Sequence, residues 1–290
     1  MYIIDAHAHL WMRQAGKVDG KDVFPVGNGK SNFGGTVRQM MPPYMNDDAN
    51  TAERFLANMD YARVSAAVIT QEEIDGNQDE YLLTIRRNYP DRFRICSLYE
   101  EGKEYRTDGF DGIKLCAGRL PTGDLTKHAQ VFERADREGK FISIDLADGN
   151  LQTDSLAEMA QQFPNLRIAI GHFGMVTRPD WTEQIKLARC KNVFIESGGI
   201  TWLFNAEFYP YAGAVRAIRE AADICGFDKL MWGSDYPRTM VEITYKMSYD
   251  FIIKSGELDD SEKEAFLGSN ARRFYGIEKL YECDEIPNML

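Results

Sequence analysis

The sequence predicts an α/β fold, a single-domain (β/α)8 TIM barrel, and three observations carry that expectation. Eight short apolar, β-rich segments recur along the 290 residues. The stretches between them show helical rather than strand periodicity. No Gly-x-Gly-x-x-Gly follows any strand, which argues against the dinucleotide crevice of an open doubly wound sheet. Buried strands alternating with amphipathic helices call for parallel pairing with crossover helices, and eight such units suit a closed barrel.

The strand patterns fall at 2–8, 66–70, 93–98, 112–116, 141–146, 167–171, 192–197 and 230–234. Helical faces lie between them. Ala52, Phe55, Leu56 and Met59 form one, and Val131, Phe132 and Ala135 another. Leu156, Met159, Ala160 and Phe163 form a third, and Ala214, Ile218, Ala221 and Ile224 a fourth. Residues 10 to 50, with "VGNGKSNFGG" and "MPPYMNDD", read as one long loop leaving the C-terminal end of strand 1. A loop of that length suits a lid or a substrate loop. With no repeat, low-complexity tract or linker, residues 1–290 read as one domain.

Composition narrows the function. A 44% hydrophobic and 27% charged chain is ordinary for a soluble globular protein. No apolar run approaches the roughly 20 residues that span a bilayer, and no basic segment leads into a signal-like apolar stretch. Five scattered cysteines without a CxxC pair read as reduced thiols, so a cytoplasmic location is expected. A net charge of −11 would repel nucleic acid. The expected partner is a small molecule, with neither nucleic acid nor membrane.

In a barrel, polar residues at the C-terminal strand ends converge on one mouth. His7 and His9 end strand 1, Glu72 and Glu73 follow strand 2, and Lys114 and Cys116 lie on strand 4. Asp145, His172, Glu196 and Asp235 end the last four strands. Side chains two apart on a strand share a side, so His7 and His9 can grip one ion, with Ile3 and Asp5 expected below them. His172 and Asp235 would approach from across the mouth, and such a donor set suits Zn, Mn or Fe. A lone His-x-His is weak evidence and a strand-end Asp can simply bond backbone N–H groups. The coincidence of four such residues at strand ends is what favours a site. His128, in the charged stretch "LTKHAQVFERADREGK", is expected to face solvent.

"IDAHAHL", "GHFG", "WGSDYP", "GIKL" and the closing "FLGSNARRFYGI" together resemble the amidohydrolase-related family of metal-dependent barrel hydrolases and decarboxylases, over nearly the whole chain. The resemblance implies one divalent ion, Zn²⁺ or Mn²⁺, held by His7, His9, Asp145, His172 and Asp235. Asp145 stands where the family usually has a histidine. That change favours Mn²⁺, or else loss of the metal, as in a branch resembling dicarboxylate lactonases. The resemblance also implies catalytic roles for Asp235, as proton shuttle, and for His172, polarising a carbonyl. Lys114 could be a carboxylated metal bridge or an ion-paired structural residue, the latter being favoured. A homodimer is compatible with relatives of this kind.

Arg119 and Arg238 could grip a substrate carboxylate, or lie on the surface. Glu72, Trp202 and Tyr236 join them as candidate substrate contacts. Trp11, Trp202, Tyr209, Tyr211 and Tyr236 could form an aromatic wall or pack in the core. The expected reaction is hydrolysis of a lactone or amide in a small carboxylated or polyhydroxylated molecule, the ion lowering a water pKa from ~15.7 towards ~7. The alternatives are a decarboxylase of the same family and a metal-independent lactonase. A non-catalytic binding barrel should have lost several strand-end groups together, and only the strand 5 histidine departs.

Overall fold

Strands covered on both faces need near-continuous apolar runs, and the barrel strands have them. The computed structural model describes residues 1–283. Twelve strands follow in order: β1 (Ile3–Ala8), β2 (Lys17–Val18), β3 (Lys21–Gly27), β4 (Lys30–Phe33), β5 (Thr36–Gln39), β6 (Val64–Ile69), β7 (Phe93–Tyr99), β8 (Gly112–Leu115), β9 (Phe141–Ile144), β10 (Arg167–Ile170), β11 (Val193–Glu196) and β12 (Leu230–Met231). β1 and β6–β12 form one eight-stranded sheet in chain order, all of its ladders parallel. Its ends meet through Ala6 N–H to Trp232 O at 2.9 Å, Asp235 N–H to His7 O at 2.8 Å and His9 N–H to Tyr236 O at 2.8 Å. The expected TIM barrel is the observed fold. No helix among the described residues is long and apolar enough to cross a membrane.

Two apolar layers run through the barrel. Ile4, Ala6, Ala66, Val68, Cys96, Phe141, Ala169 and Met231 form an inner cluster that Phe274 and Tyr275 of the helix Asn270–Tyr275 plug from below. Ile3, Val64, Ile69, Ile113, Ile168 and Ile195 pack outward with Phe55 and Met59 of the helix Ala52–Ala62. This corrects the expected facing of β1. Ile3 is in the outer layer, and Asp5 accepts from Tyr245 Oη at 2.8 Å in that layer. The ladder with β6 slips between Asp5 and Ala8, and this irregularity turns His7 and His9 inward although Ile4 and Ala6 also face the interior.

Residues 10–50 are not an irregular loop. β2–β5 form a separate antiparallel sheet in the order β2-β3-β4-β5. Its three turns are Asp19-Gly20, Asn28-Gly29 and Gly34-Gly35, and all six residues have positive φ. Two-residue hairpin turns demand that conformation, for which Asn, Asp and Gly are suited. Ala15 N–H to Asp75 O at 3.2 Å and Lys17 N–H to Glu73 O at 3.0 Å tie the sheet to the segment after β6. His128 is also corrected. It is 2% exposed, at the junction of a 3-10 turn and the helix Ala129–Arg137. Its Nδ1 bonds Tyr99 Oη and its Nε2 bonds Thr122 O, both at 2.9 Å.

Asp5 is the buried pin of the barrel closure. It accepts from Ser234 N–H at 2.8 Å, Ser234 Oγ at 2.5 Å and His7 N–H at 3.1 Å, besides Tyr245. Asp5→Ala is expected to cost about 3 kcal/mol or more, because it orphans several buried donors at once. Asp5→Asn should cost less, since its amide oxygen still accepts from the two backbone N–H groups. Urea unfolding of both variants checks the order.

Candidate active site

The mouth is built on strand ends, where the ladder stops and side chains lean into one space. His7 and His9 rise from β1, Glu72 and Asp75 follow β6, and Asp145 follows β9. His172 follows β10, Glu196 ends β11, and Asp235 lies beyond β12. His172 and Asp235 have φ of 53° and 58°. The left-handed backbone is costly for such residues and recurs where function demands an orientation. Gly171 lets Asp145 in, since a Cβ there would lie 2.1 Å from Asp145 Oδ1. A Cβ on Gly233 would lie 2.7 Å from the His7 Cβ.

The histidine tautomers follow from their outer partners. His9 Nδ1 lies 3.2 Å from Thr70 O and His172 Nδ1 lies 2.9 Å from Gly198 O. A carbonyl only accepts, so both Nδ1 atoms carry the proton and donate. His9 Nε2 faces Asp235 Oδ1 at 2.9 Å and His7 Nε2 at 3.0 Å, so that a proton or a metal ion can be shared among the three atoms. His7 Nδ1 lies 2.6 Å from Glu196 Oε1, which fixes the ring so that Nε2 points at His9. A divalent ion among these atoms would take the place of the shared protons and be held by the Nε2 lone pairs and the Asp235 carboxylate together.

Glu72, Asp75, Asp145, Glu196 and Asp235 crowd the mouth against only two permanent cations, Lys114 and Arg238. Burial opposes charge on Asp235, but the His9 bond and Arg238 outweigh it and hold the carboxyl at about 2. Burial likewise opposes charge on Glu72, while Arg238 and His172 hold it well below the ordinary range. Burial pushes Glu196 up to about 8. For His172 burial opposes the cation, and Asp145 with Glu72 keeps it well above its ordinary value.

Two ligand groups emerge. His7, His9, Glu72 and Asp235 offer atoms all within 4.8 Å of one another, and so do His7, Asp145 and His172. The first set fits a divalent cation, with two imidazoles and two carboxylates converging on the space that the facing lone pairs leave. Carboxylate behind imidazole, as in Glu196–His7, is a recurrent support for such ligands. Asp145 Oδ2 lies 2.6 Å from Lys114 Nζ, the ion pair that was the favoured role for that lysine, and 3.6 Å from His172 Nε2.

A cavity of about 980 Å³ opens above, lined by Glu72, Asp145, His172, Trp202, Asp235 and Arg238 among others. Trp202 Nε1 donates to Asp235 Oδ2 at 2.7 Å. Arg119 lies at the exposed rim and shares the lining. Arg238 is mostly buried, bonded to both oxygens of Asp75 at 2.9 and 3.0 Å. Tyr236, expected at the substrate, lies instead in the core, its ring stacked on Phe55 with centroids 4.1 Å apart. The Tyr236 N–H donates to Ser234 Oγ at 2.9 Å. Trp11 is buried with Met41 and Met45, and Tyr211 is in the main core.

Sequence reasoning gave no role to Glu196, Asp75 or Arg38. Glu196 had a signal, a carboxylate ending the apolar "VFIE" run. Asp75 sits in a turn with no periodicity to mark it. Arg38 reaches the cavity only because β5 folds back over the mouth.

The class that fold and site define is a TIM barrel with a metal-capable mouth at its C-terminal face. Residues 4–277 match the family model for amidohydrolases, and the chain belongs to that family. An uncharacterized protein, y4mH, of Sinorhizobium fredii is 27% identical over 178 residues, 58% of this chain and 57% of that relative's length. Among solved structures, a probable 2-pyrone-4,6-dicarboxylic acid hydrolase of Acinetobacter baumannii, with citric acid bound, covers 95% of this chain and 100% of its own at TM-score 0.69 and 20% identity. A zinc-bound amidohydrolase of Burkholderia multivorans covers 95% and 99% at TM-score 0.69 and 14% identity. A 5-carboxyvanillate decarboxylase of Novosphingobium aromaticivorans, complexed with manganese, covers 79% and 81% at TM-score 0.56 and 18% identity. At these identities the likeness is one of fold.

The sign of the Asp235 shift sets a pH dependence. A carboxyl held below its unfolded value of 3.8 contributes stability above that pH, and the contribution is lost as pH falls through about 2. The stability gap between the native chain and Asp235→Asn is therefore expected to narrow from about pH 5 to about pH 2 in urea titrations.

Proposed function

We propose that this chain is a hydrolase that opens a lactone or amide in a small carboxylated molecule, with one divalent cation held by His7, His9, Glu72 and Asp235. The observation that carries the reading is the convergence of ligand atoms from His7, His9, Glu72 and Asp235 within 4.8 Å of one another, with His9 Nε2 at 2.9 Å from Asp235 Oδ1 and 3.0 Å from His7 Nε2. When bound, such an ion supplies Lewis acidity to a carbonyl and acidifies water. Asp235 is ionised at neutral pH and takes the proton of the attacking water at Oδ1, while Trp202 fixes Oδ2. His172, cationic and oriented by Gly198 O, donates from Nε2 to the oxygen on which charge develops. Arg119 at the rim receives the substrate carboxylate. The small sheet, with Phe33, Arg38 and Gln39 in the cavity wall, shields the reacting atoms from water.

A decarboxylase is the second reading, and the cationic His172 beside the cavity favours it as the acid that would protonate carbon. The test is a screen of lactones, amides and phenolic acids with Zn²⁺ or Mn²⁺, following acid release and carbon dioxide separately. Ring opening without carbon dioxide is the expected result, and carbon dioxide from an aromatic acid would replace the hydrolase reading. Asp235→Asn is expected to lower kcat by about 10²–10⁴-fold. Chelation by EDTA should abolish turnover, and full activity after EDTA would remove the ion from the reaction. Glu196→Gln, which weakens the support of His7, should lower metal affinity by about 10–100-fold in equilibrium dialysis.

A further inference from the structure

The second ligand group, His7, Asp145 and His172, is close enough to hold an ion of its own. Two features of the chain stand against that. His7 has one nitrogen left after its Glu196 contact, and that Nε2 already faces His9 at 3.0 Å in the first group. Asp145 already has a cation. Lys114 Nζ lies 2.6 Å from Asp145 Oδ2, and the lysine is wholly buried. The pairing is built into the sheet. Lys114 is registered opposite Ser143 on β9, and Asp145 N–H bonds Leu115 O at 3.0 Å, which places the carboxylate beside the ammonium on neighbouring strands. Among the described residues, Asp145 is the only carboxylate in ion-pair contact with Lys114. An ammonium buried in the interior cannot leave its partner without a large desolvation cost.

We propose that Lys114 is a built-in cation that takes the place of a second metal ion, holding Asp145 out of the coordination sphere and limiting the mouth to one divalent ion. Lys114 is thus a positioning residue. It neutralises the carboxylate that stands at the strand 5 end and leaves Glu72 to complete the first group. The inference rests on the metal reading above and goes beyond it by assigning Lys114 the part of keeping Asp145 out of ligation.

Metal content per chain reads the proposal without recourse to activity. The chain, its Lys114→Met variant and the double variant Lys114→Met/Asp145→Asn are each dialysed against Zn²⁺ or Mn²⁺ and analysed for bound metal. The native chain is expected to hold one ion. Lys114→Met leaves the Asp145 carboxylate uncompensated and is expected to take up a second ion. The double variant removes the buried pair together, which keeps the local charge balance, and should return to one ion with affinity within about threefold of native. Circular dichroism confirms that each variant is folded. Two ions in the native chain, or loss of the single ion in the double variant, would overturn the inference and leave the metal reading standing. No ion in the native chain would overturn both. If Lys114→Met fails to fold, the double variant alone decides, because a ligating Asp145 predicts a loss of affinity there and a spectator Asp145 does not.

Discussion

Carboxylates crowded into a buried mouth are the constraint on which the rest of this structure depends. Negative charge away from water is costly unless it is met by positive charge and hydrogen bonds. Glu72, Asp75, Asp145, Glu196 and Asp235 are each met differently. Arg238 bonds Asp75 with both oxygens and lies 3.6 Å from Asp235 and 3.9 Å from Glu72. Lys114 holds Asp145, and Gly198 N–H donates to Glu196 at 2.6 Å. His172, held well above its ordinary value by Asp145 and Glu72, adds a third positive charge, and His7 and His9 lie between Glu196, Glu72 and Asp235. In the function proposed, a divalent ion held by His7, His9, Glu72 and Asp235 takes its place among these groups.

The backbone serves the same end. Asp5 ties β1 to Ser234 and Tyr245 below the mouth, and the irregular register just above it turns His7 inward. Asp235 and His172 occupy the left-handed region, held there by backbone bonds from Asp235 N–H to His7 O and from Met175 N–H to His172 O, both 2.8 Å. Glycines at 171 and 233 supply the room.

Much of the fold was legible because the barrel strands are apolar runs and the helices between them carry one apolar face. The small sheet was not read, although its turns were written plainly. Asp19-Gly20, Asn28-Gly29 and Gly34-Gly35 are the residue types that two-residue hairpins require. Their strands hide because β3, "KDVFPVG", and β5, "TVRQ", bury little and so lack alternation. His128 misled for a related reason. Charged neighbours marked a solvated helix, but the residue precedes the helix and turns under it to Tyr99.

The sequence by itself determined the barrel, the strand that carries His7 and His9, and the positions of His172, Asp145 and Asp235 at strand ends, because periodicity is a local property. Which polar groups share a contact was decided only by tertiary structure. Lys114 and Asp145 are 31 positions apart in the numbering and become partners because β8 and β9 are neighbours. Glu72 and Asp235 come together because the sheet closes on itself, which sets the segment after β6 and the segment after β12 on either side of β1. Tyr236, one residue beyond Asp235, faces the opposite way into the core. Charge compensation depends on distances of a few ångströms between segments far apart in the chain, and no one-dimensional pattern encodes those.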